Sequence, residues 1–190
     1  MKICNFIFLL SIYLIHLSSC AYRQGAPERV MPGGYKWVKV PIFKNYTQEP
    51  GTEVFFTNSM IDELQKSKIA TVVDNSDIVV EGAIESISYT PTSIKYEKDD
   101  KTQTLPIGAV QATDYRIVVV TTISLVRKSD QSILWSSKFD GERTYTAPQI
   151  SGAIVNSANP LYNLSARRSG LKEIANDMAS EAIDRMTENF

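Results

Sequence analysis

The segment TDYRIVVVTTISLVR, residues 113–127, constrains the fold more than any other part of the chain. Its β-branched and aromatic residues favour an extended conformation. Alternate positions place apolar side chains on both faces: Tyr115, Ile117, Val119, Ile123 and Leu125 on one, and Val118, Val120 and Val126 on the other. A strand of this kind is central in its sheet and covered on both sides for part of its length. The second face therefore needs cover from loops or from a partner.

Two long segments supply neighbours for this central strand. A KSDQS turn leads into a strand at residues 133–145 that returns antiparallel, and another long strand is predicted at 78–90, before a loop at 91–111. Within 78–90 the apolar positions change face after Ile84. This change predicts a bulge near Ser86, or a strand whose far end buries its opposite face.

Two shorter strands precede these long ones. Residues 35–43 alternate with Val38, Val40 and Ile42 on one side, and Pro41 indicates an edge strand or a strand end because it has no N–H to donate. Residues 69–73 form a short β-branched run.

Two amphipathic helices complete the pattern. The first is predicted at 53–66 with Thr52 as its N-cap and with Val54, Thr57, Ile61 and Leu64 in its apolar stripe, flanked by Phe56 and Met60. The second begins at Asn159-Pro160 and runs to about Glu188, and Gly170 either kinks it or marks its start. Its apolar stripe is Leu171, Ile174, Ala175, Met178, Ala182 and Met186.

The element order is therefore β-α-β-β-β-β-α. Two helices and one sheet predict an α+β fold, a two-layer sandwich with both helices packed on one face of a mixed four- to five-stranded sheet.

The N-terminus is typical of an exported lipoprotein. A single Lys2 precedes an apolar run too short to span a membrane comfortably, as in a secretory signal. The run ends in Leu17-Ser18-Ser19-Cys20, which is similar to a bacterial lipobox, where the cysteine is lipidated and becomes the new N-terminus. We expect a signal peptide at 1–19, a lipidated flexible tether at 20–34 and a single domain at 35–190.

Cleavage at that point would narrow the chemistry of the mature chain. Cys4 and His16, the only histidine, would leave with the signal, and Cys20 would be acylated. Zinc sites of the Cys/His type and Ser–His or Cys–His catalysis would then be excluded. The net charge of −1 gives no basic excess for nucleic-acid binding.

The order of segments resembles the LptE family of lipopolysaccharide-assembly lipoproteins. The resemblance rests on the lipobox, on VKVPIFKNYTQEPGTE leading into a helix, on VVDNSDIVVEGAIESISYTP, on ATDYRIVVVTTISLVRKSDQSILWSSKFDGERTY and on the C-terminal amphipathic helix. It implies two helices on a four-stranded mixed sheet and a role without catalysis, cofactor or metal. It also implies two partners: the outer-membrane β-barrel LptD, in which such proteins sit as a plug, and lipopolysaccharide. Ala21, rather than an aspartate, after the cysteine favours the outer membrane, with the domain on the periplasmic side.

The resemblance also suggests positions for contact with lipopolysaccharide. It implies Lys95, in the loop after the strand at 78–90, and Lys138, in the returning strand. Arg116 is a third candidate from its strand position alone. The charges near Lys95 sum to zero, so a solvated loop explains that residue equally well.

Two other classes of function remain open at this level. One is a periplasmic lipoprotein of the curli-secretion or synthase-activator kind, acting as an oligomeric pore subunit or an enzyme activator, because VPIFKNYT followed by a helix is similar to segments of those families. The other is a carboxylate-dependent hydrolase, although the acidic residues are scattered along the chain.

Overall fold

The structure is a computed structural model that describes residues 29–96, 110–146 and 160–188. Cys20 and the predicted signal peptide lie outside the described residues, as do the side chains of residues 95–96, 110–111 and 160–162. No helix among the described residues combines the length and the apolar character needed to cross a membrane.

Two helices and a four-stranded sheet form the domain. A short 3-10 turn at Pro32–Gly34 precedes the elements, which are β1 (Trp37–Val38), β2 (Lys44–Asn45), α1 (Thr52–Ser67), β3 (Thr71–Val72), β4 (Ile78–Tyr96), β5 (Val110–Arg127), β6 (Ser132–Thr146) and α2 (Pro160–Thr187). The main sheet has the order β2-β4-β5-β6, with β2 parallel and the other pairs antiparallel. The predicted fold class, an α+β sandwich with two helices on a mixed sheet, is confirmed.

The N-terminal strand differs from its prediction. Of the predicted strand at residues 35–43, only Trp37–Val38 forms a strand, β1, which pairs with β3 in a separate two-stranded sheet, and β2 follows after the predicted strand has ended. Val38 is buried, but Ile42 is 63% exposed and Phe43 is buried instead. The outward position of Ile42 accompanies a contact with α1, because the backbone N–H of Phe43 donates to Oγ1 of the buried Thr57 at 3.0 Å.

The predicted bulge is confirmed, one residue before Ser86. Ile84 pairs with Thr121 and Ser86 with Val120, so Glu85 is an extra residue in β4. The extra residue restores the phase of the strand, so Ile84, Ile87 and Tyr89 all face the helices. Strands β4 and β5 also continue into the predicted loop at 91–111, as far as Tyr96 and from Val110.

The apolar stripe of α2 is the largest part of the core. All six predicted stripe residues are buried, from Leu171 to Met186, and they face Ile117, Val119 and other inner residues of the sheet. Full burial of each leucine, isoleucine or methionine among them stabilises the fold by roughly 1.5–3 kcal/mol, and the two alanines contribute less. Gly170 neither starts nor interrupts the helix. A Cβ at this position would lie 2.9 Å from Cδ1 of Ile117, so glycine permits the close approach of helix and sheet.

Helix α1 buries a face rotated from the predicted one. Phe56, Met60 and Leu64 are buried, whereas Val54 is 43% exposed. The helix packs on α2 as well as on the sheet, and Ser59 Oγ donates to Asn176 Oδ1 at 2.7 Å. This second contact, which sequence periodicity does not reveal, selects the buried face.

The N-terminus of α1 is not capped by Thr52, which is the first helical residue after Gly51. Instead the Glu53 carboxylate accepts the Gly51 N–H at 3.1 Å and the Asn45 amide at 2.7 Å. The hydrogen bond from Asn45 is the main cause of a lowered pKa at Glu53.

The folded part of the chain begins before the predicted boundary at Tyr35. Met31 is buried in the core. Arg29 Nη1 lies 2.6 Å from Asp184 Oδ1 near the end of α2. The predicted tether is therefore fixed to the domain by its last residues.

Gly82 provides a test of packing between β4 and the turn at Phe43. A Cβ at position 82 would lie 2.0 Å from Cε2 of the buried Phe43 ring. We expect Gly82→Ala to lower the free energy of unfolding by about 1–3 kcal/mol because the ring must move. The control is Ser88→Ala, on the exposed face of the same strand, which should change stability by less than about 0.5 kcal/mol. Urea denaturation of both variants measures the difference, and equal stability would show that the ring is not confined.

Candidate functional site

The face of the main sheet that points away from the helices is the candidate functional site. We call it the open face. It comprises the even-numbered residues of β5 from Arg116 to Val126 and their neighbours on β4 and β6. No helix or strand of the described part of the chain covers it. Val118, Val120 and Val126 lie here half-buried by their own neighbours, so the predicted need for cover is not met within the described residues.

Lys138 lies on the open face within a small charged network. It is opposite Thr122, and its Nζ is 2.6 Å from Oε2 of Glu85, the bulge residue. Thr122 Oγ1 donates to the other oxygen of Glu85 at 2.6 Å. The hydrogen bonds from Lys138 and then Thr122 lower the pKa of Glu85, and Glu85 in turn raises the pKa of Lys138.

This network orients the side chains of Lys138 and Glu85 but contributes little to the stability of the fold. The side chains of Lys138 and Glu85 are 60% and 38% exposed, so water screens their attraction and the pair adds little to stability. The bulge directs Glu85 onto the open face, where it holds Lys138 in place. An anion that binds Lys138 must therefore compete with this carboxylate.

Arg116 also lies on the open face with an acidic neighbour. Its Nη1 is 3.7 Å from Oε2 of Glu142, and it pairs across the strands with Thr90 and Thr144. Arg116 and Lys138 thus each face a carboxylate.

The structure does not bring the three predicted basic positions together. Lys95 pairs with Gln111, whereas Lys138 pairs with Thr122. The interval from Gln111 to Thr122 corresponds to roughly 36 Å along β5 at about 3.3 Å per residue. Arg116 lies between the two. A contact of all three with lipopolysaccharide stays a prediction, and it would require an extended ligand.

The acidic partners of Lys138 and Arg116, and a row of hydroxyl groups on the open face, were not predicted from the sequence. Glu85 and Glu142 come from other strands than their basic partners, so only the register reveals the pairs. Hydroxyl groups surround them, and Ser124 and Ser136 share a hydrogen bond of 2.8 Å. The alternation of polar residues at positions 122 and 124 would have indicated a polar surface at this end of β5.

A second polar cluster lies on the helix side of the sheet, at the end of the core that is remote from the β5–β6 turn. We call it the distal cluster: Glu49, Tyr89, Tyr115, Tyr145 and Arg167. The Arg167 guanidinium pairs with Glu49 and lies 4.2 Å from the centre of the Tyr89 ring. Tyr115 and Tyr145 stack at 5.8 Å. Burial raises the pKa of Tyr89, opposed by the nearby Arg167. The cluster links the segment before α1 to α2.

The acidic residues in the described part of the chain do not gather into a metal site. They contain no group of three or more His, Cys, Asp or Glu side chains that could hold a metal ion. The carboxylates of the open face instead pair with basic residues or hydroxyls.

Arg167 is a test of the distal cluster. Arg167→Ala removes both the pair with Glu49 and the contact with Tyr89, and we expect a loss of about 1–2 kcal/mol in the free energy of unfolding. Arg168→Ala is the matched control, because Arg168 is exposed on the same helix. A loss of similar size in both variants would show that contacts of the distal cluster are not its cause, since helix propensity alone favours alanine over arginine.

The comparisons with known proteins identify one family. The LptE model, described as lipopolysaccharide-assembly, matches residues 35–186. No curated protein matches the chain in sequence.

Several solved structures are similar at low identity. A PelC dodecamer from Paraburkholderia phytofirmans is 20% identical, with 84% of this chain and 93% of that chain covered and a TM-score of 0.46. The uncharacterized lipoprotein B from Nitrosomonas europaea is 10% identical, with 88% and 90% covered and a TM-score of 0.49. A minor lipoprotein from Acinetobacter baumannii is 8% identical, with 80% and 91% covered and a TM-score of 0.47.

The family match extends from the first residues before β1 to the last turn of α2, and so includes both helices and every strand described above. The chain belongs to the LptE family of lipopolysaccharide-assembly proteins.

Proposed function

We propose that this protein is a lipoprotein of the outer membrane that plugs an LptD-like β-barrel and binds lipopolysaccharide for insertion into the outer leaflet. In this proposal Cys20 carries the lipid anchor, and the domain faces the periplasmic side. The protein acts by binding and positioning, without a cofactor or a catalytic step.

The composition of the open face is the observation that carries the proposal. It combines half-buried valines with hydroxyls and charged pairs. The lumen of a wide outer-membrane barrel is polar. A plug therefore needs a surface that is mixed rather than uniformly apolar, and the open face has that character over the length of three long strands.

The basic residues of this face support contact with an anionic ligand. Lipid A phosphates favour Lys and Arg side chains. Lys138 and Arg116 are exposed and lie along one surface, and Lys95 follows farther along β4. We propose that phosphate groups displace Glu85 and Glu142 from their basic partners when the ligand binds.

Photo-crosslinking tests the barrel contact. A photoreactive amino acid at Thr122, on the open face, should capture a large β-barrel protein in the native envelope. The same group at Asn75, in the exposed turn before β4, is the positional control. Affinity purification of the full chain should recover the same barrel. Recovery of only further copies of this chain, or of an enzyme, would instead support the oligomeric-pore or activator function.

A pair of opposed substitutions tests the lipopolysaccharide contact. We expect Lys138→Gln to weaken binding of purified lipopolysaccharide about five- to tenfold, since one charge-assisted contact is lost. We expect Glu85→Gln to strengthen binding, because it frees Lys138 from its competitor. Lys172→Gln, on the exposed side of α2, controls for net charge. Equal affinities for all three variants would exclude Lys138 from the site.

A further inference from the structure

One end of the domain is fixed to the segment that leads to the predicted anchor. We call it the anchor pole: residues 29–37, the C-terminal end of α1 with the residues up to Thr71, and the β5–β6 turn. Arg29 is held by Asp184, and Met31 is buried beside the last turn of α2. Residues 20–29 span about 30 Å at most when fully extended.

That reach determines which end of the domain can lie at a bilayer. Strand β5 has 18 residues, or roughly 60 Å, and runs from the opposite end of the domain to the anchor pole. A lipid attached at Cys20 would therefore keep Arg29, and with it the anchor pole, within about 30 Å of the membrane surface, whereas the distal cluster could lie farther away.

The anchor pole carries a basic depression. Its volume is about 490 Å³, and its basic lining residues are Arg29, Lys36 and Lys68. None of its lining residues is acidic. Arg29 is paired with Asp184. Lys36 and Lys68 are exposed and have no ion-pair partner among the residues that the structure describes.

The walls of the depression suit an amphiphilic ligand. Val30, Ile69 and Ala70 supply apolar surface, and Thr71 adds a hydroxyl group, whereas the Ser67 hydroxyl donates to the Leu64 carbonyl at 3.2 Å. A phosphate between two lysines, with a hydroxyl donor nearby, is a favourable arrangement for an anionic headgroup.

The backbone at Lys68 determines which substitution can test this residue. Lys68 has φ 56°, ψ 20° and follows the last turn of α1. Glycine adopts this left-handed conformation at the end of a helix without cost, because it has no Cβ to clash. Glycine at position 68 would therefore remove the charge without straining the backbone.

Exposed apolar residues lie on the rim of the same pole. Trp37 is 64% exposed and points outward from β1, and Val30 is 42% exposed. Trp37 shares a neighbouring hollow with Lys36 and with Asp77, the one acidic residue that lines it. Exposed tryptophan beside lysine is typical of surfaces that lie at the headgroup level of a bilayer.

We propose that the anchor pole binds the surface of the bilayer to which the tether is attached. Lys36 and Lys68 hold the phosphate of an anionic phospholipid in the depression, and Trp37 and Val30 enter the interface. The proposal rests on lipidation of the tether but is independent of the barrel and of lipopolysaccharide binding on the open face.

Fluorescence of Trp37 tests the proposal in the full lipidated chain. The chain has two tryptophans, so Trp135→Phe leaves Trp37 alone. The protein is reconstituted in vesicles of phosphatidylcholine, or of phosphatidylcholine with phosphatidylglycerol, each containing lipid with brominated acyl chains. The lipid anchor holds the protein on both kinds of bilayer. Any difference in Trp37 quenching between them therefore measures the contact of the anchor pole with the anionic lipid. We expect at least twofold stronger quenching, and a blue-shifted emission, with the anionic lipid.

Substitutions in the depression should remove that difference. Lys36→Gln together with Lys68→Gly should reduce quenching to the level in pure phosphatidylcholine, and glycine at 68 suits the backbone there. Lys172→Gln, Lys138→Gln and Glu85→Gln lie elsewhere and should change nothing. This separation keeps failure of the open-face proposal distinguishable from failure of this one.

A second label makes the result independent of the tryptophan variant. An environment-sensitive dye on Thr71→Cys, inside the depression, should report a drier environment on the anionic vesicles. The proposal would be overturned if the emission of Trp37 and of the dye were the same in detergent and in both kinds of vesicle. Protection of Trp37 only when a barrel protein is present would also overturn it, by making the pole a protein contact.

Discussion

Close contact between α2 and the inner face of the sheet is the constraint on which the rest of the structure depends. A Cβ at Gly141 would lie 2.5 Å from Cγ2 of Ile174, and one at Gly170 would meet Ile117. The helix therefore approaches the sheet more closely than side chains at these positions would permit. The inner face is thereby filled, and the open face is left for interactions with other molecules. Helix α1 then occupies the remaining space beside α2, which explains its rotated buried face.

The periodicity of apolar residues predicted correctly those elements that pack against a single core. The alternation in β5 and the stripe of α2 each face one continuous core, so their periodicity carries through to the structure. The bulge in β4 was also predictable, because a change of phase in a strand that still buries one face requires an extra residue. The end of the strand before Pro41 was indicated, but the outward position of Ile42 was not. That position accompanies a contact with Thr57, which is distant in sequence.

The site was harder to predict because the pairing register of the strands brings its residues together. Lys138 was identified from a resemblance, and its partner Glu85 lies 53 residues earlier in the chain. Likewise, Arg167 and Glu49 are brought together only by the finished fold. Sequence reasoning named basic residues without their acidic neighbours, and could not show that Lys95 and Lys138 lie far apart along the sheet. Distances between positions on paired strands follow from hydrogen-bonded register, which a single sequence does not specify.

The fixing of the N-terminus has a mechanical consequence. Because Arg29 is paired with Asp184 and Met31 is buried, a pull on the tether acts first on the last turns of α2 and on a small part of the core. The hydrogen bonds between β4, β5 and β6 are not the first to carry that load. When a lipid holds the domain and partners bind its other surfaces, tension on the tether can detach a few N-terminal residues. The long sheet then stays intact.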